Sequence, residues 1–210
     1  MVLRQESYIG RFILAFIISN LLFVTIFLVA YGVSYLNYQG IHNQNVLIED
    51  SLREIAALAN SSVCGDESLL IASDSLDRVG SKLALLESRF GKQDERVIEQ
   101  KKKYSELEYE HLSLVKRVSS ACNESFVTII FFYSNIGELQ EASENVGFIL
   151  SSFKKENPEK IMVYSFDFTL DAEIIDKLKK QYKVEGLPYV LVNEKDVVRV
   201  HNIYDLMPYL

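Results

Sequence analysis

Residues 12–36 carry no charged side chain, and their polar members are Ser19, Asn20, Thr25, Ser34 and tyrosines near the end. A hydrocarbon core of about 30 Å is crossed by a helix of ~20 apolar residues, and this run exceeds that length. Tyr8, Tyr31 and Tyr35 stand toward its ends, where aromatic belts form at the membrane–water interface. The run is therefore expected to be a transmembrane helix, with the lipid bilayer as its partner. A cleavable signal peptide is the competing reading. Its apolar core is shorter, ~7–15 residues, and Ala30-Tyr31-Gly32 is the only passable cleavage pattern. A buried helix of a soluble protein fits less well, because so long an uncharged run is hard to house in a chain of 210 residues.

The flanks orient the span. Arg4 and Arg11 precede it; no Lys or Arg follows until Arg53, and Glu49 and Asp50 come first. The positive-inside rule then places residues 1–11 in the cytoplasm, residues 12–36 across the cell membrane as a single pass, and the remainder outside the cytoplasm.

A net charge of −7 argues against a nucleic-acid partner, which would need a basic footprint. The sequence holds no P-loop, GxGxxG, HExxH or GxSxG pattern. The two cysteines, Cys64 and Cys122, form no CxxC, and the three histidines, His42, His111 and His201, are far apart. No cofactor, no metal and no catalytic constellation is expected.

Residues 37–123 show helical spacing. A first segment covers residues 45–59, with Ile48, Leu52, Ile55 and Ala59 in register. Asn60-Ser61-Ser62 and Gly65 end it. A second begins after Asp66, expected as its N-cap. Leu69, Leu76, Leu83 and Phe90 recur with a heptad period, and Ala72, Val79 and Leu86 fill the companion position. That is the seam of a short coiled coil, stopped at Gly91 by a left-handed cap. A third segment, residues 93–121, holds a seam of Val97, Tyr104, His111 and Val118 with Leu107, Leu114 and Ala121. Lys101, Lys102 and Lys103 interleave with Glu99, Glu106, Glu108 and Glu110, which predicts a solvated outer face. The short break at Gly91 makes the last two segments an antiparallel hairpin. At about 1.5 Å per residue it reaches roughly 35–40 Å. His111 on the seam is expected to be packed, not to ligate a metal.

Cys64 lies just before the hairpin and Cys122 just after it, so an antiparallel arrangement makes them neighbours. An extracytoplasmic compartment permits a disulfide. In the chain-entropy model, closing this loop contributes about 4 kcal/mol, less any strain. Two free thiols or a redox-active pair remain the alternatives. Asn60-Ser61-Ser62 and Asn123-Glu124-Ser125 also match glycosylation acceptor patterns, which are common by chance.

Residues 124–210 change character. Residues 126–132 are uncharged and rich in β-branched and aromatic side chains, as in a strand buried on both faces. A polar turn at Ser134-Asn135 leads to a helix over residues 137–155, ended by Asn157-Pro158. Residues 160–166 form a second strand. Asp171 is expected to cap a helix over residues 172–182. Residues 189–192 and 197–201 form a hairpin turning at Lys195-Asp196, and a short helix closes the chain at residues 204–210. The order is β-α-β-α-β-β-α, with the first two strands parallel neighbours.

The stretch Tyr182-Lys183-Val184-Glu185-Gly186-Leu187-Pro188, followed by a strand hairpin, resembles the thioredoxin family over residues 125–210. The resemblance implies an α/β thioredoxin-like domain with Leu187–Pro188 as a cis peptide. It lacks the family's optional first strand and helix. Phe131-Phe132-Tyr133 matches the strand that precedes the redox turn, which places Ile136 and Leu139 where the family has its two cysteines, with Gly137-Glu138 between. Thiol chemistry needs a thiolate activated at the helix N-terminus and a second thiol to resolve the mixed disulfide. Ile136 and Leu139 supply neither, and the family's buried acid falls on or near Ile130.

The resemblance further implies an apolar platform for an extended partner segment, made here by Ile136, Leu139, Leu187, Pro188 and Tyr189 with Tyr133 at its rim. Packing of these same side chains against neighbours is the alternative. The expected molecule is a single-pass membrane protein with a helical hairpin and a redox-inactive thioredoxin-like module that binds or scaffolds an unknown protein partner. A homo-oligomer formed through the helical region, and an oxidoreductase-related protein using Cys64 and Cys122, are the other readings.

Overall fold

The computed structural model describes residues 3–60 and 66–210, with side chains for residues 8–58 and 69–210. The chain divides into two compact units, residues 1–43 and residues 44–210. The first consists of the leading part of helix α1 (Leu3–Asn60). Its most apolar window has a mean hydropathy of 2.8 and no buried residue, so this one helix is long and apolar enough to cross a membrane. Its polar groups turn inward on the helix itself. The Asn20 amide donates to the Phe16 carbonyl at 2.9 Å and the Thr25 hydroxyl to the Leu21 carbonyl at 3.0 Å. Hydrocarbon would leave such groups without any other partner.

The expected separate helix at residues 45–59 is instead the continuation of α1. No proline interrupts residues 37–44, and the single Gly40 costs only about 1 kcal/mol of helix propensity. Ile48 and Ile55 are buried as their spacing predicted, and the buried Gln44 amide donates to the Val79 carbonyl at 3.1 Å.

Helices α2 (Asp66–Phe90) and α3 (Glu95–Cys122) form the hairpin. Leu69, Ala72, Leu76, Val79, Leu83 and Leu86 are all buried along the α2 seam. Gly91 ends α2 at φ +92°, a conformation that favours glycine, and its N–H donates to the Glu87 carbonyl at 2.8 Å. The Asp94 carboxylate then caps α3 by accepting the Arg96 backbone N–H at 3.0 Å. Ala121, assigned to the α3 seam, is exposed.

The outer face of α3 departs from expectation. Lys101 and Glu108, assigned there to solvent, are 3% and 2% exposed. Leu112 and Val115, off the seam, are also fully buried. α3 is covered by α2 on one side and by the sheet on the other, so its charged face is in part an interior face.

The sheet contains β1 (Val127–Tyr133), β2 (Ile161–Asp167), β3 (Tyr189–Val192) and β4 (Asp196–Val198), in the order β2-β1-β3-β4. β1 and β2 are parallel; β1 with β3 and β3 with β4 are antiparallel. Alternate residues of β1 serve two cores. Ile130 and Phe132 join Tyr164, Phe166 and Leu191 beneath α3 and α5 (Glu173–Tyr182). Ile129 and Phe131 join Val190 and, from α4 (Leu139–Glu156), Val146, Leu150 and Phe153.

Three local expectations are corrected. Ala172, not Asp171, stands at the N-cap of α5, with no side-chain cap bond. The β3–β4 turn runs over residues 193–195, with Asn193 and Glu194 at positive φ and the Lys195 N–H donating to the Val192 carbonyl at 3.1 Å; Asp196, expected in the turn, already belongs to β4, which ends at Val198. The terminal helix is two 3₁₀ turns, Ile203–Asp205 and Met207–Tyr209. Pro208 brings no N–H to an α-helical ladder there. The Asn202 and Asp205 side chains secure the first turn, Asp205 accepting from the His201 and Asn202 N–H groups at 2.8 and 3.0 Å.

Candidate functional site

The expected platform lies where β1 leaves the sheet. Phe132 pairs with Tyr189, so the residues after Phe132 and those before Tyr189 emerge at the same sheet end. Gly137, at φ +68°, bends the chain into α4. Ile136 and Leu139 project from this bend with 49% and 45% of their surface exposed. The Ser134 hydroxyl accepts the Ile136 N–H at 3.2 Å, and the Ser134 N–H donates to the Ser143 hydroxyl at 3.1 Å, which holds the turn.

The other platform residues are more enclosed. The Leu187–Pro188 peptide is cis, and both residues are half-buried. Leu187 and Tyr189 pack on the core beneath α3 and α5, and the Tyr189 hydroxyl donates to the Tyr182 carbonyl at 3.1 Å. Tyr133 does not join them. It follows Phe131 to the opposite face of the sheet, stacks on it at 5.6 Å between ring centroids, and turns toward the hairpin. Burial holds its phenol well above the ordinary range. The six residues thus divide into an exposed apolar pair, a half-buried group of three and a tyrosine on the other side.

Sequence reasoning missed a buried polar cluster beside this turn. Asn135, 7% exposed, donates from its amide to Asp167 Oδ2 at 2.7 Å. The Thr169 N–H and hydroxyl donate to Asp167 Oδ1 at 3.0 and 2.6 Å. Lys101 of α3 reaches Asp167 at 3.4 Å and Glu87 of α2 at 2.8 Å. The turn that carries Ile136 is therefore tied through β2 to both helices of the hairpin.

Two turns further along α3, Glu108 Oε1 accepts the Ser165 backbone N–H at 2.7 Å. β2 is an edge strand, and this carboxyl covers one of its free donors. Burial pushes the Glu108 carboxyl up to about 8, against the pull of the Ser165 N–H and of Lys154. His111, next on the same face, is held between Ser73 Oγ at 3.1 Å and the Tyr164 hydroxyl at 2.9 Å. Burial pushes it down to about 4, so it is neutral at pH 7. It packs as expected of a seam residue and links α2 to β2.

The signal for this second buried face was present in α3. Apolar residues at 107, 112, 114, 115 and 118, with His111 among them, form a stripe wider than the two positions per heptad of a coiled-coil seam. Of the cysteine pair, Cys64 lies outside the described residues, and Cys122 closes α3. Among the described residues no His, Cys, Asp and Glu group is arranged to hold a metal ion. No family model, no curated protein and no solved structure matches the chain.

Proposed function

We propose that the protein is a single-pass membrane protein whose residues beyond the span form a redox-inactive, thioredoxin-like binding module outside the cytoplasm. The observation that carries the binding reading is the exposure of Ile136 and Leu139 together at the head of α4. Two branched apolar side chains held out by a hydrogen-bonded turn offer a contact surface, where a dithiol would offer chemistry. The strand order β2-β1-β3-β4, with its single parallel pair, supports the thioredoxin-like reading. In that reading α3 occupies the sheet face that the missing first helix would cover. The bilayer holds residues 12–36, and Cys64 and Cys122 form a structural disulfide across the base of the hairpin. The partner is a protein segment laid against the Ile136–Leu139 turn.

Photo-crosslinking in native membranes tests the binding reading. A photoreactive residue at position 136 or 139 is expected to give a discrete protein adduct that the same probe at the exposed Gln181 does not give. Adducts absent at all three positions, or equal at all three, overturn it. Alkylation of the denatured full-length chain without reductant should leave both cysteines unmodified. Insulin reduction by the purified protein above background would replace this reading with the oxidoreductase one.

A further inference from the structure

A cleft of about 890 Å³ opens between α2, α3, the β2 edge and α4. Its walls include Lys101, Tyr104 and Glu108 from α3, Tyr133 from β1, Asp167 from β2 and Lys154 from α4. Room for the Tyr104 ring comes from α2, where Gly80 faces it; a Cβ at that position would stand 2.7 Å from the Tyr104 hydroxyl oxygen.

The charges in the cleft do not balance. Asp77, Glu87, Glu108 and Asp167 line it against Lys101 and Lys154. Each lysine is already engaged, Lys154 with Asp77 at 2.6 Å and Lys101 with Glu87 and Asp167. Glu87 and Asp167 share a single ammonium. Glu108 has none, and its Oε2 is buried without a hydrogen-bond partner among the described residues. A buried carboxyl oxygen left unpaired is rare in folded proteins and calls for a hydrogen-bonding partner. Glu108 and Lys101, the one ammonium that Glu87 and Asp167 share, lie seven residues apart on α3, two helical turns or about 10 Å along its axis. Tyr104 and Tyr133 both line the cleft, and aromatic rings attract organic cations.

We propose that this cleft binds a linear aliphatic polyamine, one ammonium donating to Glu108 Oε2 and another meeting the Glu87–Asp167 pair, with the alkyl chain along Tyr104 and Tyr133. Anionic ligands are excluded by the surplus of carboxylates. Glu108 is faced by Asp77 from α2, Lys101 and Tyr104 from its own helix, Tyr133 from β1, Tyr164 and Ser165 from β2, and Lys154 from α4. A bound ammonium ionises its carboxyl, so affinity rises with pH until that group is charged in the free protein as well.

Equilibrium dialysis of labelled spermidine against the full-length protein in nonionic detergent tests this. Saturable binding is expected, tightening from about pH 6 to about pH 8.5. Glu108→Gln should weaken it by about tenfold or more, the loss of a charge-assisted hydrogen bond. Glu110→Gln, an exposed acid on the same helix, should leave it unchanged. Should Glu108→Gln fail to fold, Gly80→Ala crowds the Tyr104 ring and is expected to weaken binding without removing a charge. Equal effects of the two glutamate variants, or no saturable binding, would mean that an acidic protein merely gathers counterions, and the proposal falls. Equal binding of 1,5-pentanediol would overturn the role of the ammonium.

Discussion

Lys101 is the residue on which most of the internal polar structure depends. It joins Glu87, Asp167 and the Lys92 carbonyl while almost wholly out of water. Removing one partner of a buried ion pair costs about 3–5 kcal/mol, because the remaining charges stay buried. Lys101→Met should therefore lower the urea midpoint of the full-length protein in micelles by a corresponding amount; an unchanged midpoint would show Asp167 to be satisfied by Asn135 and Thr169 alone. Glu108 gives a second test at this scale, through pH. Its carboxyl is raised from 4.5 to about 8. Between those values the folded chain keeps a proton that the unfolded chain gives up, so stability falls as pH rises and levels off above about 8. His111, lowered from 6.5 to about 4, acts in the opposite sense. The unfolded chain binds the proton there, and stability rises with pH across that window. The two slopes oppose each other in mild acid, and between pH 6.5 and 8 Glu108 acts alone. The melting temperature should decline across that interval and stay nearly flat in Glu108→Gln. A parallel decline in the variant would refute the assignment.

At the scale of elements, α3 has two interior faces. Lys101 and His111 bond both to α2 and to β2, Glu108 reaches β2, and Leu112 and Val115 are buried in the core that the helices share with the sheet. A helix that served only as half of a coiled coil would tolerate Leu112→Ala, since position 112 lies off the seam. With Leu112 fully buried, the cost should match that of Leu114→Ala, about 2–5 kcal/mol in chemical denaturation. A near-neutral Leu112→Ala would mean that α3 stands clear of the sheet. The same packing explains why β2 tolerates being an edge. The hairpin covers it, and Glu108 occupies its Ser165 N–H.

At the scale of the molecule, the two units differ in surface, and the leading one is long and apolar enough to cross a membrane. The leading unit exposes Phe12, Phe16, Phe23 and Phe27 at 62–76%, an exposure that a hydrocarbon surrounding would make favourable. Arginine at the centre of such a span costs about 2.5–3.5 kcal/mol on insertion scales. Leu22→Arg combined with Val24→Arg should shift the protein from the carbonate-resistant membrane fraction to the extractable one. A reporter at Leu210 should be active only if it requires the far side of the membrane. Retention of the double variant would contradict the span, and cytoplasmic reporter activity would contradict the orientation.

What could be read directly from the chain was whatever depends on local pattern. The apolar run, the α2 heptads, the stop at Gly91 and the strand β1 each announce themselves through neighbours a few residues apart, because period and turn chemistry are local properties. The platform residues could be named only through the resemblance of residues 182–188 to the thioredoxin family. What only tertiary structure decided was how those elements meet. A lysine or glutamate on a helix reads as solvated until another element lands on it, and nothing near Lys101 or Glu108 in sequence says that β2, about sixty residues on, will do so. The division of Tyr133 from Tyr189 was settled by the pleat of two paired strands, which sends adjacent side chains to opposite faces. The cleft exists because the charged face of α3 is closed over by a sheet edge, and burial is what turned surface charges into a site.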